Sequence, residues 1–364
     1  MNESPPLALP AMREDRGRFA AVRNARVLIY WPHGLGDWVH FGAIAPLLEP
    51  SNVYAITRVG DDYVSVMEGD APVRPLFSGV MAPSTAALGA PPHFGLDPRR
   101  CDGRRVTLEL APPLRDEIAR FAPGVLLWTD YPETEGRTAY PFHTKARNLA
   151  RLLISRERLA ALDLSAPLRN AVDFTVPART QQRLDEALAA FAPPGVPLAV
   201  ISRAGVTAAR KNWDDVNARS FIAAMRRDDP RRRFISMDDE ALGEGVAGFR
   251  ALFGGLGEPF ARLYKALANR LDLFVGIPAG PLHLTMARGG IPTVGLWIAH
   301  HPDWYDEPNP DAIHLIGRHA RDAGFDRRAA TITKPPGLMH RLRYLDTLEI
   351  DAESVAAEAR TLLN

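Results

Sequence analysis

Three short stretches carry residue types that could act on a hydroxyl or a phosphate. His33-Gly34-Leu35-Gly36-Asp37 sets a carboxylate behind two glycines. A carboxylate held at the end of a strand can take a proton from a hydroxyl nucleophile. Aspartate is also a favoured helix N-cap, and the turn by itself points first to that role. Ser202-Arg203-Ala204-Gly205, followed by Arg210-Lys211-Asn212-Trp213, joins a glycine turn to three cations. Such a turn suits a diphosphate, whose charge needs donors and cations; it could equally be a solvated basic loop. In Gly276-Ile277-Pro278-Ala279-Gly280-Pro281-Leu282-His283-Leu284 a proline stands where a helix would begin. Proline suits a first helical turn, where its missing N–H would be unpaired. The N–H groups of Leu282 and His283 would then face an anion, aided by the helix dipole. His283 could donate to a phosphate or simply pack as a bonded histidine.

The elements that must present these stretches are legible from periodicity. Apolar runs of strand length stand at 26–31, 53–57 and 125–129, then at 198–202, 234–237, 273–276, 293–297 and 313–316. Helical spacing recurs after Asp37 (with Pro46 as a kink), at 142–154, 181–191, 216–227, 260–269 and 282–288, and at 351–363 with Asp351 as cap. Strand, turn and helix in alternation predict parallel sheets with helices on both faces, and ligands at the carboxyl ends of the strands. The stretch 70–113 is crowded with proline and glycine and carries no clear element. Four parts follow: a flexible arm at 1–24, a first Rossmann-like domain at 25–192, a second at 193–345, and a C-terminal helix at 346–364 that could pack back on the first domain.

The 364 residues favour two domains over one core. Lys+Arg 44 against Asp+Glu 43 leaves a net charge of +1, so no global field recruits nucleic acid. The one cysteine, Cys101, excludes an intrachain disulfide and a cysteine-rich metal site. No apolar run approaches the ~20 residues of a membrane span, and the start, broken by Pro5, Pro6 and Pro10, does not read as a signal peptide. A cytoplasmic location is expected, with peripheral membrane contact left open. No Asp-x-Asp triplet occurs, and His300-His301 with Asp303 lacks a completing ligand, so no metal and no cofactor are expected.

Taken together, the motifs resemble the heptosyltransferase family, glycosyltransferase family 9, whose members join an ADP-heptose donor to a lipopolysaccharide core sugar. Gly36-Asp37-Trp38-Val39-His40 with Pro46 is similar to that family's opening turn, Lys211-Asn212-Trp213 to its Lys-x-Trp, and Gly276 with Gly280-Pro281-Leu282-His283-Leu284 to its Gly-x-Asp-x-Gly-Pro-x-His-Leu. The resemblance is dense over 26–48 and 198–300 and weak between 60 and 190. It implies a GT-B architecture, two doubly wound Rossmann-like domains facing each other across a cleft. It also implies an inverting, metal-independent sugar transfer from a nucleotide-diphosphate sugar to an unknown glycan or small-molecule acceptor. Asp37 would be the base, with His33, Trp38 and His40 on the acceptor side. Ser202, Arg203, Lys211, Gly280, Pro281, Leu282 and His283 would hold the donor. This chain departs from the family where Pro278 replaces the aspartate and Ala279 a threonine or serine. A sugar-nucleotide epimerase or hydrolase, or a nucleotide-binding homologue without turnover, are the alternatives.

Overall fold

The computed structural model describes residues 7–13, 26–31, 35–36, 39, 53–57, 79–81, 105–108, 112–128, 172, 174–205, 209–239, 242–299, 302, 311–322 and 341–364. Contacts divide the chain into two compact units, Met1–Met67 with Pro72–Ala171, and Glu68–Ala71 with Val172–Asn364.

The first unit holds β1 (Leu7–Arg13), β2 (Val27–Trp31), β3 (Val53–Thr57), β4 (Gly79–Met81), β5 (Arg105–Leu108), α1 (Pro112–Phe121) and β6 (Val125–Trp128). Its sheet has the order β4-β3-β2-β6-β1-β5. Val27, Leu28 and Val125–Leu127 are buried, as apolar runs in a covered parallel sheet must be. The arm expected at 1–24 is not wholly without structure. Strand β1 lies parallel to β6, with Ala11 opposite Leu126, and antiparallel to β5, with Leu7 opposite Leu108. Pro10 within it, and Pro5 and Pro6 just before it, suggest coil, but pairing with two distant strands outweighs a weak local propensity. Strands β4 and β5 fall within the stretch that periodicity leaves blank, and helix α1 begins at its end. The helix expected at 142–154 lies outside the described residues.

The second unit runs α2 (Ala178–Leu188), β7 (Leu198–Ser202), α3 (Asp215–Asp228), β8 (Arg233–Ser236), β9 (Val246–Gly248), α4 (Phe249–Phe253), α5 (Phe260–Ala268), β10 (Leu273–Gly276), α6 (Gly280–Arg288), β11 (Thr293–Trp297), β12 (Ala312–Ile316), α7 (Arg318–Asp322), β13 (Leu342–Tyr344) and α8 (Ala352–Leu363). Its seven strands have the order β13-β12-β11-β10-β7-β8-β9, and every pair is parallel. Helix α3 shows why such segments fold as they do. Asp214 caps it by accepting from Asn217 N at 2.9 Å, and Ala218, Phe221, Ile222 and Met225 recur on one buried face.

Two expected boundaries move. Helix α2, expected in the first domain, belongs to the second unit, so the division falls near 172 rather than 193. Thr180 Oγ1 donates to Glu258 at 3.2 Å, Asn269 Nδ2 to Gln181 at 3.2 Å, and Arg270 pairs with Asp185. The Pro-Pro-Gly at 193–195 is therefore a turn inside a unit, not a linker. The C-terminal helix α8 docks on α3 of its own unit. Val355, Ala356 and Ala359 enter the same core as Phe221, and Arg360 meets Asp228 at 2.7 Å. No helix among the described residues is long and apolar enough to cross a membrane.

Candidate functional site

In the second sheet β7 stands between β8 and β10. The chain leaves β7 for β8 on one side and later returns to add β10 on the other. The loops after β7 and β10 therefore diverge at a topological switch point, where an open α/β sheet leaves a crevice for ligands. The second and third sequence motifs are those two loops.

The ends of the two strands are drawn together by Ile277 N, which donates to Ser202 O at 2.9 Å. Gly276 makes the approach possible, since a Cβ there would lie 2.8 Å from both Ser202 Cβ and Ser202 O. Ser202 is itself buried, which makes it a framing residue at the strand end. After it the chain forms a closed loop. Trp213 N donates to Arg203 O at 2.8 Å, and Gly205 N donates to Asn212 Oδ1 at 3.1 Å. A short 3-10 turn, Ala209–Lys211, brings Lys211 to the loop's end. The Trp213 indole is buried, with Nε1 donating to Ile350 O at 2.6 Å.

Helix α6 begins at Gly280, with Pro281 in its first turn. It starts early enough that His283 N already donates to Ala279 O at 3.3 Å. The backbone donors left without an intrahelical acceptor are thus Gly280 and Leu282, not Leu282 and His283 as expected. The His283 imidazole is buried, and its pKa is pushed down to about 3, first by burial and then by the nearby Lys211 ammonium. It stays neutral at ordinary pH, with one ring donor and one acceptor. The Lys211 ammonium therefore stands within electrostatic reach of His283. Behind them, Thr285 Oγ1 donates to Pro281 O at 2.8 Å, so Tyr264 OH must donate to Thr285 at 2.6 Å. That buried pair fixes the first turn of α6 against α5.

Arg203 is engaged within its own unit. Its guanidinium pairs with Asp215 at 2.5 Å and with Asp238 at 2.8 Å, and its side chain is only 11% exposed. These ion pairs link the end of β7 to the start of α3 and to the turn after β8. Neither Asp215 nor Asp238 was marked by any motif, because only strand order decides that they converge. The turn Ile277-Pro278-Ala279 offers a ligand no ionisable or hydroxyl side chain.

In the first motif, Leu35, Gly36 and Val39 are helical after β2, with Gly36 and Val39 buried. His33, Asp37, Trp38 and His40 lie outside the described residues, as do His300, His301 and Asp303.

No protein-family model and no curated protein sequence matches the chain. Solved structures do. A glycosyl transferase family 9 protein from Veillonella parvula superposes with a TM-score of 0.56 at 15% identity, over 94% of this chain and 98% of that one. The E. coli ADP-heptose lps heptosyltransferase II gives 0.54 at 15%, over 93% and 98%. The iron-containing dodecameric glycosyltransferase TibC of enterotoxigenic E. coli gives 0.51 at 16%, over 94% of this chain and 76% of that one. The fold is therefore the GT-B fold of family 9 glycosyltransferases, as the motifs imply.

Proposed function

We propose that the protein is a cytoplasmic, inverting and metal-independent glycosyltransferase that uses a nucleotide-diphosphate sugar, with ADP-heptose as the leading donor. The observation that carries this reading is the meeting of Lys211, the neutral His283 and the start of α6 at the switch point of a GT-B-type sheet. A diphosphate there would face one fixed ammonium, an imidazole N–H and the backbone donors of Gly280 and Leu282. Leaving-group charge is stabilised best by donors already in place. The donor choice leans on the name of a similar fold, the ADP-heptose heptosyltransferase II.

In the proposed reaction the acceptor oxygen attacks the anomeric carbon from the face opposite the nucleotide. Asp37 takes the hydroxyl proton, and the bond from the anomeric carbon to the diphosphate oxygen breaks. The nucleotide diphosphate leaves with both electrons of that bond. The acceptor is a glycan or small molecule bearing a free hydroxyl.

The test begins with a thermal-shift panel of nucleotide sugars, followed by turnover with the one that stabilises most, in the presence of a chelator. Transfer with an inverted anomeric centre supports the proposal. Replacing Asp37 with asparagine should then lower turnover about 10²–10⁴-fold while donor affinity persists. Release of nucleotide from donor alone would identify a hydrolase, and a rearranged sugar would identify an epimerase. One observation favours a further reading, a binding protein without turnover: the turn at Ile277-Pro278-Ala279 is wholly apolar. Tight donor binding with no product under any condition would establish it.

A further inference from the structure

We propose that Trp213 and Asn212 are positioning residues for Lys211, and that through Trp213 the C-terminal segment Ile350–Leu363 forms part of the scaffold of the donor site. The proposal rests on the donor-site reading of Lys211. A lysine ammonium rides on a flexible four-carbon stem, and ordering it costs side-chain entropy. A site that relies on one lysine gains by fixing the backbone from which it springs.

The loop carrying Lys211 is fixed on both sides. Its base is closed by Trp213 N to Arg203 O at 2.8 Å, and within it Asn212 Oδ1 accepts from Gly205 N at 3.1 Å. The next residues are tied to the far end of the chain. Trp213 Nε1 donates to Ile350 O at 2.6 Å, and Ala352 N donates to Asn217 Oδ1 at 3.0 Å. Asn217 N in turn donates to Asp214 Oδ1, the residue directly after Trp213. The stretch from Lys211 to Asn217 is thus stitched twice to Ile350–Ala352.

The partner segment lies on the edge of the sheet where the site is. Leu345 N donates to Ile316 O at 2.9 Å, and Arg318 N donates to Thr347 O at 2.9 Å. A Cβ on Gly317, just past the end of β12, would lie 3.2 Å from Leu348 O. The chain from Leu345 to Ile350 therefore lies along the carboxyl edge of β12 and ends under the Trp213 indole. If Trp213 served only to fill the core, its ring would suffice. The buried N–H bond to Ile350 fixes the ring's orientation as well, and with it the direction in which the loop leaves the core.

The test is a double-mutant cycle read by calorimetric ADP affinity on the full chain: wild type, Lys211→Ala, Trp213→Phe and the pair. Phenylalanine keeps an aromatic ring and removes the N–H donor. Trypsin cleavage after Arg210 and Lys211, resolved by mass spectrometry, gives a readout that needs no ligand. Trp213→Phe should weaken ADP about three- to tenfold, the reach of one hydrogen bond, and should speed cleavage at those sites. The double variant should bind ADP no more weakly than Lys211→Ala. Additive losses, or a lowered melting temperature with ADP affinity and loop cleavage unchanged, would overturn the proposal. If Lys211→Ala itself leaves ADP affinity unaltered, the donor-site reading fails; cleavage then judges the positioning alone, and an unchanged rate overturns that too. Should Trp213→Phe not fold, Asn212→Ala serves in the same cycle.

Discussion

Lys211 acts on His283 because the loop after β7 carries one and the helix after β10 carries the other. The ammonium makes a second proton on the imidazole unwelcome, and burial already opposes it more strongly. Two consequences follow for measurement. Lys211→Ala should weaken nucleotide-diphosphate binding by about 1.5–3 kcal/mol, the range for a hydrogen bond to a charged group. Calorimetry with ADP checks it, and an unchanged affinity would reduce the loop to a solvated surface. The second concerns pH. His283 titrates at about 3 in the folded chain, against 6.5 for an ordinary histidine. Between those values the unfolded chain binds more protons, so the stability gained by a neutral His283 is complete above 6.5 and declines as pH falls toward 3. From pH ~6.5 to ~5 the melting temperature should therefore fall more steeply for the wild type than for His283→Gln.

At the scale of elements, the site depends on how closely two strands approach and on how one helix begins. Gly276→Ala would press a methyl to 2.8 Å from the Ser202 carbonyl, a backbone atom that cannot swing away. A loss of about 1–3 kcal/mol is expected, as for overpacking elsewhere. It should appear as a lower denaturant midpoint and a weaker hold on nucleotide together. Helix α8 gives a milder case. Asp351 Oδ1 accepts from Ser354 N at 2.8 Å and Oδ2 from Ser354 Oγ at 2.7 Å. Asp351→Ala should cost about 1 kcal/mol by thermal or chemical melting. Because α8 follows directly on Ile350, that variant should also loosen the loop bearing Lys211.

For the whole molecule, the second unit contains its own seven-stranded sheet, its own helices on both faces, and both loops assigned to the diphosphate. A fragment of residues 172–364 should therefore fold cooperatively and bind ADP with the affinity of the full chain. Circular dichroism and calorimetry on the fragment check this; a molten fragment, or one blind to ADP, would show that the first unit contributes to the site. Sugar transfer should be lost in the fragment, since Asp37 lies in the other unit.

What local chemistry dictates could be read from the amino-acid order alone. Strands β3, β7, β10 and β11 stand at the expected residues, because a covered parallel strand is a short apolar run bounded by turn residues. Asp351 caps α8 as the sequence predicts, since capping involves residues three apart. The order of the motifs was enough to imply the fold. Features that depend on distant partners emerge only in the folded chain. Strand β1 exists because β5 and β6 flank it, and α2 joins the second unit through Glu258, Asn269 and Arg270. Arg203, a cation by its type, is paired with Asp215 and Asp238. Periodicity and capping are written in neighbouring residues, whereas burial, ion pairing and a shifted pKa depend on which strand ends lie side by side.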